Sequence, residues 1–156
     1  MHPEPHDELR SASFRDLDTT TLYRILKLRS DVFVVEQECV YPDLDGRDDE
    51  PGTRHLWFSR EGDIRAYLRI LDDGDVQRIG RVVTARDARG AGLAGRLVAE
   101  ALTIIGNRPS ALSAQAYLAN FYAKFGYTQA GPEYLEDGIP HVPMFRDATA
   151  EPQPAR

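Results

Sequence analysis

The run Arg89-Gly90-Ala91-Gly92-Leu93-Ala94 has the residue types and spacing of an anion cradle. Glycine at 90 and 92 lets the backbone approach a ligand with no Cβ in the way. The run follows a strand-like stretch, Ile79–Thr84, and opens an apolar-periodic stretch, Leu93–Ile105. Strand, glycine-rich turn and helix together aim backbone N–H groups at a phosphate, and the helix end adds about half a positive charge. Arg89 can pair with a phosphate oxygen. The chemistry indicated is binding of a phosphorylated ligand in the middle of the chain.

Other reactive side chains concentrate between Glu36 and Glu50, where seven acids stand against one base. A field of that sign attracts cations, and a solvated acidic loop is the simpler alternative. Asp43-Leu44-Asp45-Gly46 is no calcium loop. An EF-hand needs glycine at loop position six and Glu at twelve, whereas Gly46 stands fourth and Arg54 twelfth. No Cys/His cluster has zinc spacing, so no metal is expected.

The elements that must position these residues follow from pattern. Leu9–Phe14 alternates and is expected to be a first strand. Thr19–Thr21 offers an N-cap for a helix carrying Leu22, Ile25, Leu26 and Leu28, and Asp31 one for a second short helix, Val32–Glu38. Pro42–Gly52 has turn composition. His55–Ser59 and Ile64–Leu71 read as strands around the turn Glu61-Gly62-Asp63, and Val76–Thr84 as the strand before the glycine-rich turn. Leu93, Leu97, Val98, Ala101, Leu102 and Ile105 make one buried helical stripe. Ala111–Ala116 is a short strand, Leu118–Phe125 a short helix ending at Gly126, and two strands flank Glu136-Asp137-Gly138. The order β-α-α-β-β-β-α-β-α-β-β describes an α/β (α+β) fold, a mixed sheet with helices on both faces.

With 156 residues and 42% hydrophobic content, the chain suits a single domain over residues 9–147. Residues 1–8 and 148–156 read as flexible tails. The N-terminus has no basic and apolar signal-peptide pattern, no run reaches the ~20 apolar residues of a membrane helix, and the one cysteine, Cys39, has no partner to bridge. A cytoplasmic protein with no membrane contact is expected. A net charge of −6 argues against nucleic acid.

The residues at 89–94 resemble the cofactor signature of the GNAT superfamily of N-acetyltransferases, Arg/Gln-x-x-Gly-x-Gly/Ala, through Arg89, Gly92 and Ala94. Ala119–Tyr127 resembles the short helix of that superfamily ending in Phe-Tyr-x-Lys-x-Gly-Phe/Tyr. Val32–Gln37, Tyr41–Gly46, Ile79–Val83 and Glu136–His141 narrow the resemblance to the ElaA-like branch. It covers about Leu22 to Met144.

The resemblance implies the acyl-CoA N-acyltransferase fold and transfer from acetyl-CoA to a primary amine of a small-molecule or peptidic acceptor. A non-catalytic acyl-CoA sensor of the same fold is the alternative, and a homodimer is left open. Amides of Gly90, Ala91, Gly92, Leu93, Ala94 and Gly95, next to Arg89, would cradle the CoA pyrophosphate. The backbone of Val82, Val83 and Thr84 would bind the pantetheine arm like an added strand. Tyr122 would protonate the departing sulfur, since tyrosine with an ordinary pKa of ~10 is protonated at neutral pH. Glu36, by its place before the acidic loop, or His141, as a histidine with an ordinary pKa of ~6.5, would be the base. Gln115 stands where many relatives carry Asn in contact with cofactor or acceptor.

Overall fold

An eight-stranded mixed sheet organises the computed structural model, which describes residues 4–147. The strands are β1 (Glu8–Ser13), β2 (Arg54–Arg60), β3 (Asp63–Asp72), β4 (Gln77–Thr84), β5 (Ser110–Gln115), β6 (Thr128–Gln129), β7 (Tyr134–Glu136) and β8 (Ile139–Arg146). They lie in the order β1-β2-β3-β4-β5-β8-β6, with β7 paired to β8. The helices are α1 (Thr19–Arg29), α2 (Leu93–Ile105) and α3 (Ala119–Ala123). A π-helix, Ser30–Glu36, runs straight on from α1. The mixed α/β sheet expected from the sequence is observed. Strand β6 has no counterpart in the expected order, because two residues carry no readable period. No described helix is long and apolar enough to cross a membrane.

The apolar pattern covers both faces of the sheet. On one, Leu97, Val98 and Ala101 of α2 pack over Leu56, Phe58, Leu68, Ile79 and Leu112. On the other, Ile25, Leu28 and Val32 pack over Trp57, Tyr67 and Val83. Hairpins β2–β3 and β7–β8 close through Glu61-Gly62 and Asp137-Gly138. All four residues have positive φ (49°, 86°, 51° and 80°), the twist-matched type I′ geometry.

Three local expectations are corrected. Asp18, not Thr19–Thr21, caps α1: its carboxylate accepts from the Thr21 N–H at 2.7 Å, and a negative charge complements the helix dipole. Asp31 starts no second helix. It pairs with Lys27 one turn back at 2.6 Å, and the chain widens into π turns in which Gln37 N–H donates to Val32 O at 3.0 Å and Cys39 N–H to Val34 O at 3.1 Å. At the N-terminus, Asp7 is held by Arg60 at 2.9 Å and Arg65 at 3.3 Å, and Glu8 already belongs to β1. Those two residues are therefore part of the fold and not of a tail. The tail expected at 148–156 lies outside the described residues, as do residues 1–3.

Strand β4 decides the geometry of the site. Tyr67 pairs with Val83 and Arg69 with Gly80, so Leu68 stands opposite both Arg81 and Val82. This is a β-bulge, and Arg81 takes a left-handed φ of 54° in it. Ile79 and Val83, four apart, would share a face of a regular strand; the bulge sends them to opposite clusters. Strand β5 runs parallel to β4 only at Gln77↔Ser110 and Arg78↔Ala111. Beyond that it stays with β8, up to Gln115↔His141, and the two central strands part.

The acidic loop faces inward. Arg29, fully buried at the end of α1, donates from Nε to Asp43 at 3.0 Å and from its two terminal nitrogens to Asp48 at 2.8 and 3.1 Å. Arg69 binds Asp45 and, at 3.0 Å, Asp48. Arg81 pairs with Asp43 at 2.9 Å and Asp45 at 3.4 Å. Three aspartates of the expected cation-attracting rim are thus neutralised by three arginines.

Burial opposes ionisation of Asp48, but Arg29 and Arg69 outweigh it and hold its pKa below the usual carboxylate value. The hydrogen bond from Arg69 does the same, more strongly, for Asp45. His55 donates from Nε2 to Asp48 O at 2.9 Å, so its Nδ1 accepts the Tyr67 hydroxyl at 2.6 Å. Burial lowers its pKa and keeps it neutral. A lowered folded pKa makes the unfolded chain the better proton binder in both cases, so stability is lost on acidification. Urea midpoints should be level above pH ~7, fall below ~6.5 as the unfolded histidine charges, and fall more steeply below ~4 as the aspartates protonate. Midpoints constant down to pH ~4, where the unfolded histidine is fully charged, would contradict the buried neutral His55.

Candidate active site

The parting strands open a cleft of about 570 Å³. The π-helix contributes Val32, Phe33 and Glu36 to its wall, β4 contributes Val82, Val83 and Thr84, and Arg89 and Ala94 come from the glycine-rich turn and α2. Gln115, Tyr122 and His141 complete the expected residues that line it. Gly90, Ala91, Gly92, Leu93 and Gly95 are not in the lining. Leu93 is buried beneath the turn, and Gly95 faces Phe121 and Phe125, where a Cβ would stand at 3.8 Å, an ordinary packing distance.

Gly90 and Gly92 have φ of 87° and 77°. A Cβ at either would meet no atom within 4 Å in the protein itself, so within the fold the glycines are required by left-handed backbone and not by crowding. Gly92 caps α2 without a side-chain hydrogen bond, and the first helical N–H bond of the backbone runs from Arg96 to Gly92 O at 3.2 Å. The amides of the first turn are left for an anion. On β4, the edge facing β5 has no strand partner after Arg78. Both features suit a long phosphorylated ligand lying along β4 with its phosphates at the turn.

Arg89 points back across the cleft. Its guanidinium forms a two-pronged pair with Glu36 at 2.8 and 2.9 Å, and its Nε donates to Thr84 O at 3.3 Å. Arg86 lies 3.7 Å from the same carboxylate. The Arg89 hydrogen bonds hold the Glu36 pKa below the usual carboxylate value, which makes Glu36 a weak proton acceptor and ties the π-helix to the turn.

Tyr122 and His141 stand on opposite sides of the opening. Leu112, Ala114, Val142 and Met144 point to the α2 side, as does Tyr122; the alternate residues Gln115 and His141 therefore point to the π-helix side. Tyr122 is 5% exposed and packs edge-on to Phe121 and Tyr127 at ring distances of 4.9 and 6.3 Å. Burial, then its neighbours Tyr127 and Tyr117, push its pKa above the usual tyrosine value, so the phenol remains a donor. His141 is 8% exposed. Its Nδ1 is 2.7 Å from Ile139 O, which can only accept, so Nδ1 carries a proton. Its Nε2 is 3.4 Å from Glu136 Oε2.

Sequence reasoning passed over Glu136. The Asp137-Gly138 pair held the signal: a two-residue hairpin turn sets Glu136 opposite Ile139 and Tyr134 opposite His141. It also passed over Arg81, since nothing local marks a non-glycine residue for positive φ.

The sequence profile of the acetyltransferase (GNAT) domain matches residues 31–147. The chain belongs to the GNAT acetyltransferase family. A UPF0039 protein of Mycobacterium tuberculosis is 47% identical over 150 residues, 93% of this chain and 96% of that protein. Protein ElaA of Escherichia coli is 40% identical over 139 residues, 85% and 91% of the two chains. The crystal structure of an acyl-CoA N-acyltransferase from Pseudomonas aeruginosa superposes with a TM-score of 0.87 at 40% identity, over 90% of this chain and 99% of that one. Escherichia coli ElaA superposes with a TM-score of 0.86 at 37% identity, over 91% and 100%. The ElaA-like resemblance read from the sequence is therefore upheld. The GNAT fold uses acyl-CoA co-substrates, and the uncapped turn and the unpaired edge of β4 fit one.

Proposed function

We propose that the protein transfers the acetyl group of acetyl-CoA to a primary amine of a small-molecule or peptidic acceptor. One observation carries this reading: a buried phenol and a histidine face a single opening from its two sides, beside an uncapped glycine-rich turn. The co-substrate supplies the acyl group and a thiolate leaving group. The amides at 90–95 hold its pyrophosphate, and the free edge of Val82–Thr84 holds its arm as an added strand would. Tyr122, kept protonated by burial, gives a proton to the departing sulfur. His141 takes one from the incoming amine at Nε2, with Gln115 beside it on β5. Glu36, committed to Arg89, holds the turn in place and leaves the base role to His141. A cytoplasmic setting agrees with the lone Cys39.

Release of free CoA above hydrolysis, across a panel of primary amines, tests the reading; acetyl-CoA binding with no release would replace it with an acyl-CoA-binding module. Acetyl-CoA should raise the melting temperature with concentration. Ala94→Glu should abolish that rise. Position 94 is in the first turn of α2, where a carboxylate suits the helix dipole, so the variant should fold. A full ligand-induced shift in Ala94→Glu would move the phosphate site elsewhere.

Tyr122→Phe should keep the acetyl-CoA shift and lower kcat by ~10²-fold or more, the usual range for a lost acid–base group. An unchanged kcat, with chemistry shown to be rate-limiting, would remove Tyr122 from the mechanism.

A further inference from the structure

The carboxylate of Glu136 and the imidazole of His141 converge at the cleft. Because Nδ1 donates to Ile139 O at 2.7 Å, neutral His141 presents a lone pair at Nε2. Glu136 Oε2, 3.4 Å from it, is also an acceptor when ionised. With the imidazole's proton on Nδ1, neither atom of this pair has a proton to give the other, and at 3.4 Å they are close enough to share one donor. The imidazole is fixed: its side chain is 10% exposed, it lies against the Tyr134 ring at 6.1 Å, and Tyr134 is itself bonded to Ser113. Asp137, exposed at the hairpin turn, also borders the cleft, and the remaining acids near it are held in ion pairs. Glu36 is paired with Arg89, Asp43 with Arg29 and Arg81, and Asp73 with Arg47 and Arg78. Among the described residues no lysine or arginine lies within ion-pair reach of Glu136.

We propose that Glu136 and His141 form the seat of the acceptor's ammonium group, R–NH3+. This rests on the transferase reading for its purpose, and its geometry for its chemistry. One N–H bonds to Glu136 and another to Nε2 of His141. The carboxylate supplies the charge that draws the cation, in place of the acidic loop, whose Asp43, Asp45 and Asp48 are spent on arginines. Proton transfer follows along the second bond. The N–H bond breaks, its electron pair stays on nitrogen, and the proton forms a new bond to Nε2. The products are a neutral amine, ready to attack, and an imidazolium paired with Glu136. A quaternary ammonium has no N–H and gains nothing from the seat.

The test is the side-chain 15N signal of His141 Nε2, followed by NMR during titration with n-butylammonium chloride, with tetramethylammonium chloride as control. The parent should shift with n-butylammonium alone. Glu136→Gln, which keeps the shape and removes the charge, should weaken that binding by ~10-fold or more while retaining the acetyl-CoA melting shift. In turnover, the same variant should raise the amine KM more than it lowers kcat. Equal responses to the two cations, no response to n-butylammonium, or undiminished binding in Glu136→Gln would each overturn the seat. A selective response lost in Glu136→Gln, together with no CoA release from any primary amine, would uphold the seat and sink the transferase reading.

Discussion

Arg81 holds a left-handed backbone conformation in the middle of a strand, and the cleft depends on it. Such a residue costs ~1–3 kcal/mol and persists only where its surroundings hold it. Here they do. Its guanidinium lies on Asp43 and Asp45 and 5.5 Å over the Tyr41 ring. Those aspartates are in turn anchored by Arg29 and Arg69, both buried. The extra residue at Arg81–Val82 turns β4 so that Ile79 serves one face and Val83 the other. It also lies just past the last pair with β5, where the two strands separate.

The separation sets the chemistry. A regular parallel pair would consume the backbone groups of β4 and seal the sheet. With the strands apart, a ligand can reach from the α2 side, where Tyr122 is packed, to the π-helix side, where His141 and Glu136 are held. In the proposed reaction, proton donor and proton acceptor approach one reacting centre from opposite directions, and neither has to move aside for the other. The low polarity around Tyr122 keeps its phenol protonated, while the Arg89–Glu36 pair ties the glycine-rich turn to the π-helix across the same opening.

Charge is distributed by pairing rather than by sign. The stretch from Glu36 to Glu50 is acidic on paper, yet Asp43, Asp45 and Asp48 are turned onto arginines contributed by α1, β3 and β4. Buried ion pairs of this kind return little net stability over apolar packing, but removing one partner leaves a stranded charge and costs about 3–5 kcal/mol. Their contribution is to fix where β4 bends.

Much was legible in the sequence because it depends on neighbours a few residues apart. The glycine-rich turn with the stripe of α2, the two positive-φ hairpin turns and the Phe121-Tyr122 helix are all local patterns, and all stand where they were read. The sequence also put Tyr122, Gln115 and His141 on the list of site residues. The π-helix was not legible, since Val32–Glu38 has the same apolar spacing whether the turn is α or π. Nor was the cap at Asp18, which competed with three adjacent threonines. The partners of the acidic loop were hidden for a different reason: Arg29, Arg69 and Arg81 come from three separate elements, and only the packed sheet brings them together. The same holds for Glu136, whose distance from His141 depends on a hairpin closing. Local backbone preference is written residue by residue, whereas a pairing of charges across the fold exists only after the chain has closed around it.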